Sequence, residues 1–299
     1  MTQFFRSKSY LFRCFGLLFL LFTFCTAHAQ LRYGFKTGLN FAHINGPSEL
    51  NTAGANLENW KTITGFHIGF ALGYKVNDYF GVRSELLYTK KGAKYTFEGE
   101  SYRIFRYDGG STLSNGNSKY LININNAYLD LPLMVYGRWK DLELSAGGYA
   151  GLLVQSIGDG SLTYTGGRTV PLGNSIGDLE FNLNYNFRKD APGGGESGDK
   201  VVAKVDARTL ELPKTLGAYY DYPEDKGSLF NSLDYGIIVG LSYYMSRSLF
   251  VGIRLQYGMA DVTNNSADLS KGRTDNGNLI YQADKDRNTV IQVSVGFSF

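Results

Sequence analysis

The sequence predicts an all-β chain that crosses a membrane as a transmembrane, antiparallel, up-and-down β-barrel of eight strands. Three observations carry this. First, residues 289–299 alternate with a period of two. Thr289, Ile291, Val293, Val295, Phe297 and Phe299 share one face; Val290, Gln292, Ser294, Gly296 and Ser298 share the other. Second, seven earlier stretches repeat the alternation, and several place charges opposite the apolar face. A soluble strand buries its apolar face; lipid outside and a polar lumen inside explain the inversion. Third, the connections run long, short, long, short, long, short, long. They are 43–61, 77–79, 90–126, 137–141, 155–233, 246–248 and 260–288. Tight turns on one side and long loops on the other are the signature of such a barrel, with the turns periplasmic.

The elements follow in order. Residues 1–29 read as a cleaved signal peptide and stand outside the fold. Arg6, Lys8 and Arg13 form a basic start, residues 14–25 an apolar run, and Ala27-His28-Ala29 a cleavage site, with the cut between Ala29 and Gln30. Of the 30 Lys and Arg, three lie in this leader, so 27 remain against 27 Asp and Glu. The basic excess therefore gives no argument for nucleic acid. Both cysteines, Cys14 and Cys25, leave with the leader, so neither a disulfide nor a thiolate metal site is expected. Past the leader no run of about 18 apolar residues exists, which excludes a transmembrane helix. A barrel strand needs only about 9–11 residues.

The barrel domain is expected over 30–299. Strand one, 31–41, alternates Leu31, Tyr33, Phe35, Thr37, Leu39 and Phe41 with Arg32, Gly34, Lys36, Gly38 and Asn40. Strand two spans 65–76. Strand three starts at Phe80 and turns Arg83 and Glu85 inward. Strand four, 127–136, turns Asp130 and Pro132 inward; a proline lacks the ladder donor, so a bulge is expected there. Strand five spans 142–154, with Glu143 inward. Strand six, 234–245, brings Asp234 inward, and strand seven, 249–259, brings Arg254. Residues 92–120 read as a long polar loop and 155–233 as a long extracellular loop insertion. Within the latter, 179–188 and 201–209 alternate too; they are read as an extracellular hairpin, with ten membrane strands as the alternative.

With that threading, the chain resembles the PorT-like outer-membrane β-barrel family of Gram-negative bacteria of the Bacteroidota type. The resemblance rests on Gly34-Phe35-Lys36-Thr37-Gly38-Leu39-Asn40, Leu129-Asp130-Leu131-Pro132-Leu133, Ala146-Gly147-Gly148-Tyr149, Asp234-Tyr235-Gly236 and residues 252–258. It implies an outer-membrane location, support of protein secretion in some relatives, and a terminal aromatic that serves as an assembly signal. Here that signal falls on Phe297 and Phe299.

For chemistry the expectations are mostly negative: no cofactor and no metal. Neither His43 nor His67 has a nucleophile and orienter beside it in sequence, and His67 is expected to fill the lumen. Asp284-Lys285-Asp286 and residues 221–225 lack the spacing of a calcium loop and read as solvated. The inward charges Arg32, Lys36, Arg83, Glu85, Asp130, Asp234 and Arg254 are expected to pair, because an unpaired buried charge is costly. An eight-stranded barrel is just wide enough for side chains to fill. The expected function is a non-enzymatic outer-membrane barrel with a filled lumen. It would act through extracellular loops on a surface partner or a secretion complex. Its further partners would be lipid and the barrel-assembly machinery. A small-solute porin is the alternative, and a rim-located enzyme the third reading.

Overall fold

The computed structural model describes residues 30–196, 198–275 and 277–299. The leader and Ala29 of the cleavage site lie outside them. Fifteen strands are described: β1 (Gln30–Asn45), β2 (Glu58–Lys61), β3 (Ile63–Lys75), β4 (Phe80–Tyr107), β5 (Gly110–Trp139), β6 (Leu142–Val170), β7 (Leu179–Asn186), β8 (Lys200–Val205), β9 (Arg208–Pro213), β10 (Thr215–Leu216), β11 (Leu233–Tyr244), β12 (Leu249–Gly258), β13 (Leu269–Asp275), β14 (Asn278–Tyr281) and β15 (Arg287–Ser298).

Eight of them close a ring. The pairings β1–β3, β3–β4, β4–β5, β5–β6, β6–β11, β11–β12, β12–β15 and β15–β1 are all antiparallel. No sheet edge is left within the ring, as a hydrocarbon solvent requires. The seam pairs Phe35 with Phe297, and Phe299 donates its backbone N–H to Tyr33 O at 2.8 Å. Outward apolar residues are exposed all round the ring, among them Phe70, Leu133, Leu144 and Val239. Tight turns cap one end. Asn77 Oδ1 accepts the N–H groups of Tyr79 and Phe80, and Ser246 Oγ accepts those of Ser248 and Leu249.

Pro132 sits inside β5 without a bulge. The β4–β5 register is the same at Ser84↔Leu133 and at Leu87↔Asp130, so the ladder skips the proline and resumes in phase. The register shifts of β5 lie elsewhere, between Asn115 and Asn117 and between Ala127 and Tyr128 against β6.

The larger departure is on the loop side. Residues 92–120 are strand, and so are 155–170: β4, β5 and β6 run on far past the ring. The reason is a change of chemistry without a change of face. Along β4 the inward side carries the partly buried Arg83, then Glu85, Thr89, Lys91, Ala93, Tyr95 and Phe97, all buried. The outward side changes from Val82 and Leu86 to Lys94 and Glu98. Below Lys90 the strand is made for lipid; above it, for water. The three strands thus build a second unit with a soluble-type core. That core holds Phe97, Phe105, Ile122, Leu162, Tyr164, Phe181 and Phe230.

Residues 179–188 and 201–209 do not form one hairpin. β7 pairs with the extended part of β6, Ile157↔Asn186 to Tyr164↔Leu179, and β8 pairs with β9. Neither pair joins the ring, so the membrane strands number eight.

Candidate functional site

Three charged layers fill the bore. At the turn side Arg83 donates to both Glu143 oxygens, at 2.7 and 2.8 Å, and stacks 4.8 Å from the Tyr136 ring. The Tyr244 hydroxyl donates to Glu143 at 3.0 Å. In the middle Arg254 donates to both Glu85 oxygens, each at 2.8 Å, and Lys36 Nζ lies 3.0 Å from Glu85. At the loop side Lys91 bridges Asp130 and Asp234, each at 3.0 Å. Gln256 and Asn288 donate to these two carboxylates, and the rings of Tyr128 and Tyr149 face the Lys91 ammonium at 4.7 and 4.8 Å. Lys91 and Asp234 are fully buried. Close backbone approach makes room: a Cβ on Gly151 would stand 2.3 Å from Asp130 Oδ1.

Of the seven charges expected in the lumen, six fall in these layers. Arg32 is half-buried at the turn-side mouth and joins no ion pair among the described residues. Lys91 falls in the 90–126 connection of the sequence threading, just past strand three. Its signal was present in the odd-numbered inward phase of Arg83 and Glu85.

His67 has the partners that its sequence neighbours lack. Its Nδ1 lies 2.7 Å from Asn40 Oδ1 and its Nε2 lies 2.9 Å from Ser294 Oγ. Asn40 Nδ2 donates to Phe66 O and Lys90 O, which fixes its Oδ1 toward the histidine. An amide oxygen only accepts, so Nδ1 carries the proton and Nε2 accepts from the serine. This is the order of a nucleophile, base and orienter. It is sealed, however. His67 and Asn40 are fully buried, and a Cβ on Gly38 would already press on the imidazole at 2.8 Å. Ser294 is buried as well, and the set fills the lumen as hydrogen-bonded packing.

Above the plug the outer unit encloses a cavity of about 100 Å³. Its walls include Trp60, Tyr95, Tyr102, Tyr120, Arg103 and Lys271. Tyr95 donates to Glu58 at 2.6 Å, and Lys271 Nζ lies 4.8 Å from the Tyr95 ring. The acidic pieces expected to be solvated turn in here. Asp284 and Asp286 meet Asp268, their carboxylate oxygens within 4.8 Å of one another. Burial, opposed by Lys271 and reinforced by Asp284, raises Asp268 to about 6. Burial and then Asp284 raise Asp286 to about 7.

The model of the outer membrane protein beta-barrel domain matches residues 26–264. The chain belongs to that family. It is an outer-membrane β-barrel protein, and its turn end is therefore periplasmic and its long-strand end extracellular. No curated protein matches this outer-membrane barrel. Solved structures similar to it include Ail, the attachment invasion locus protein of Yersinia pestis. Identity there is 11%, with 90% of this chain and 98% of that chain covered and a TM-score of 0.32. Neisserial surface protein A is similar at 13% identity over 89% and 97% of the two chains, TM-score 0.31. OprG from Pseudomonas aeruginosa is similar at 11% over 91% and 97%, TM-score 0.29.

Proposed function

We propose that this barrel is a non-enzymatic, non-conducting platform that holds a folded unit at the cell surface for interaction with a partner. One observation carries the reading: the Lys91–Asp130–Asp234 layer is desolvated inside the bore and is roofed by the apolar core of the outer unit. An open pore would leave such charges hydrated. The partner is surface material or a secretion complex, the latter following from the PorT-like resemblance. Lipid and the barrel-assembly machinery are further partners, with exposed Phe297 and Phe299 as the assembly signal.

Planar-bilayer recording tests the sealed lumen. The intact protein gives no unitary steps; regular steps would replace this reading with the small-solute porin. Crosslinking with mass spectrometry in native membranes then identifies the partner, with crosslinks expected on β5, β6 and residues 171–231. Crosslinks confined to the periplasmic turns would remove the surface role.

A further inference from the structure

The extracellular cavity has features that a merely structural core does not need. Arg103 enters it from β4 and is 3% exposed. Its Nη2 donates to Asp221 at 3.1 Å, while its Nη1 is buried without a hydrogen-bond partner. The Tyr120 phenol neighbours the guanidinium, and Nη1 still finds no partner at hydrogen-bond geometry. A guanidinium N–H left unpaired in a cavity is costly unless an acceptor arrives from outside the chain.

Elsewhere in the same cavity the need is the reverse. Asp268, Asp284 and Asp286 converge there, and Asp284 Oδ1 is buried without a partner. Lys271, the near cation, is directed at the rings of Tyr95 and Tyr120. Arg103 is paired with Asp221 in the same cavity wall, and no ion pair joins it to the trio among the described residues. Between them the wall is aromatic, and aromatic faces attract organic cations.

We propose that this cavity binds a small organic ammonium ligand that also carries a hydrogen-bond acceptor, the chemical class of an amino acid or short peptide. The ammonium lies against Asp268, Asp284 and Asp286, the acceptor takes the free N–H of Arg103, and the body packs on Trp60 and the tyrosines. A water needs about 10–15 Å³ of such space, so the cavity admits on the order of ten non-hydrogen atoms. The site is independent of the sealed-lumen reading: a silent bilayer neither supports nor removes it.

The test uses the full-length protein in detergent micelles and the dipeptide alanyl-glycine, which matches that size, as probe. Trp60 lines the cavity and Trp139 sits at the periplasmic end, so a Trp139→Phe background isolates the Trp60 fluorescence. The dipeptide should change that fluorescence saturably in the low-millimolar range or below. N-acetylation of the dipeptide should weaken binding about tenfold or more, and Asp268→Asn should do the same to the free dipeptide. Arg103→Lys should weaken the free dipeptide more than its C-terminal amide. Heat-modifiable gel migration confirms that each variant is folded. No saturable change, or equal binding of the acetylated dipeptide, overturns the proposal. Saturation of the same signal by calcium chloride alone, with no competition from the dipeptide, overturns it in favour of a metal site.

Discussion

Lys91 shows how one side chain holds the bore. Its ammonium is fully buried, and it balances two carboxylates from β5 and β11. Lys91→Met keeps the stem and removes the charge, which leaves Asp130 and Asp234 facing each other. Breaking such a buried set by removing one partner costs about 3–5 kcal/mol. The variant should lose its heat-modifiable migration at a clearly lower temperature than the parent, and an unchanged temperature would refute the plug. Ser294 supplies a second prediction. Because Ser294 and its hydrogen-bonded partners His67 and Asn40 are all buried, a fluorophosphonate probe should leave Ser294 unlabelled in the folded barrel. Labelling of the parent but not of Ser294→Ala would establish a hydrolase. At this scale the sequence was informative about charge and blind to convergence. Period two puts Lys36, Glu85 and Arg254 on the inward face, and their side chains are buried in the structure. It could not show that Ser294, more than two hundred residues from His67, is its neighbour across the ring, because that follows only from the β1–β15 closure.

At the scale of the element, alternation identified the membrane strands and misjudged their length. At Lys90–Lys91 the outward face becomes polar while the inward face becomes apolar, so 92–120 and 155–170 looked like loops. Ala93, Tyr95 and Phe97 against Lys94, Thr96 and Glu98 were in fact a legible strand of the soluble kind. The β13–β14 hairpin, by contrast, had no such signal, and it brings Asp268 to Asp284 and Asp286. These carboxyls supply the pH prediction. Burial raises Asp268 to about 6 and Asp286 to about 7, above an unfolded value near 3.9. The fold therefore binds more protons than the unfolded chain between those values, and stability falls as pH rises. The contribution is fully present below about 3.9 and is lost as pH climbs through 6 and 7. Amide exchange in 269–275 and 278–281, corrected for intrinsic rate, should be slower at pH 5 than at pH 8. Asp268→Asn should reduce the difference. An unchanged difference in that variant would place the titration elsewhere.

The whole molecule is a ring with a taller wall on one side. β4, β5 and β6 are continuous from the periplasmic turns to the tip at Tyr107 and Gly110, while β1, β3, β11, β12 and β15 stop near the rim. Replacing residues 155–232 by a short linker removes the β7 to β10 region but leaves the β6–β11 register that begins at Leu152↔Leu233. Insertion and heat-modifiable migration should survive, and partner crosslinks should vanish; crosslinks that persist would place the contact on the rim.

The unbroken strands also set a height. From Lys91 to Tyr107 the chain climbs about 50 Å at 3.3 Å per residue, or about 35 Å along the membrane normal at a 45° tilt. The headgroup layer occupies only about 5–8 Å of that. The hairpin tip thus stands on strands that continue from the lipid to the summit, and whatever touches it must itself stand well clear of the bilayer. A protein lying flat in the headgroups meets only the rim, where the wall carries Lys90 and Lys94 toward it.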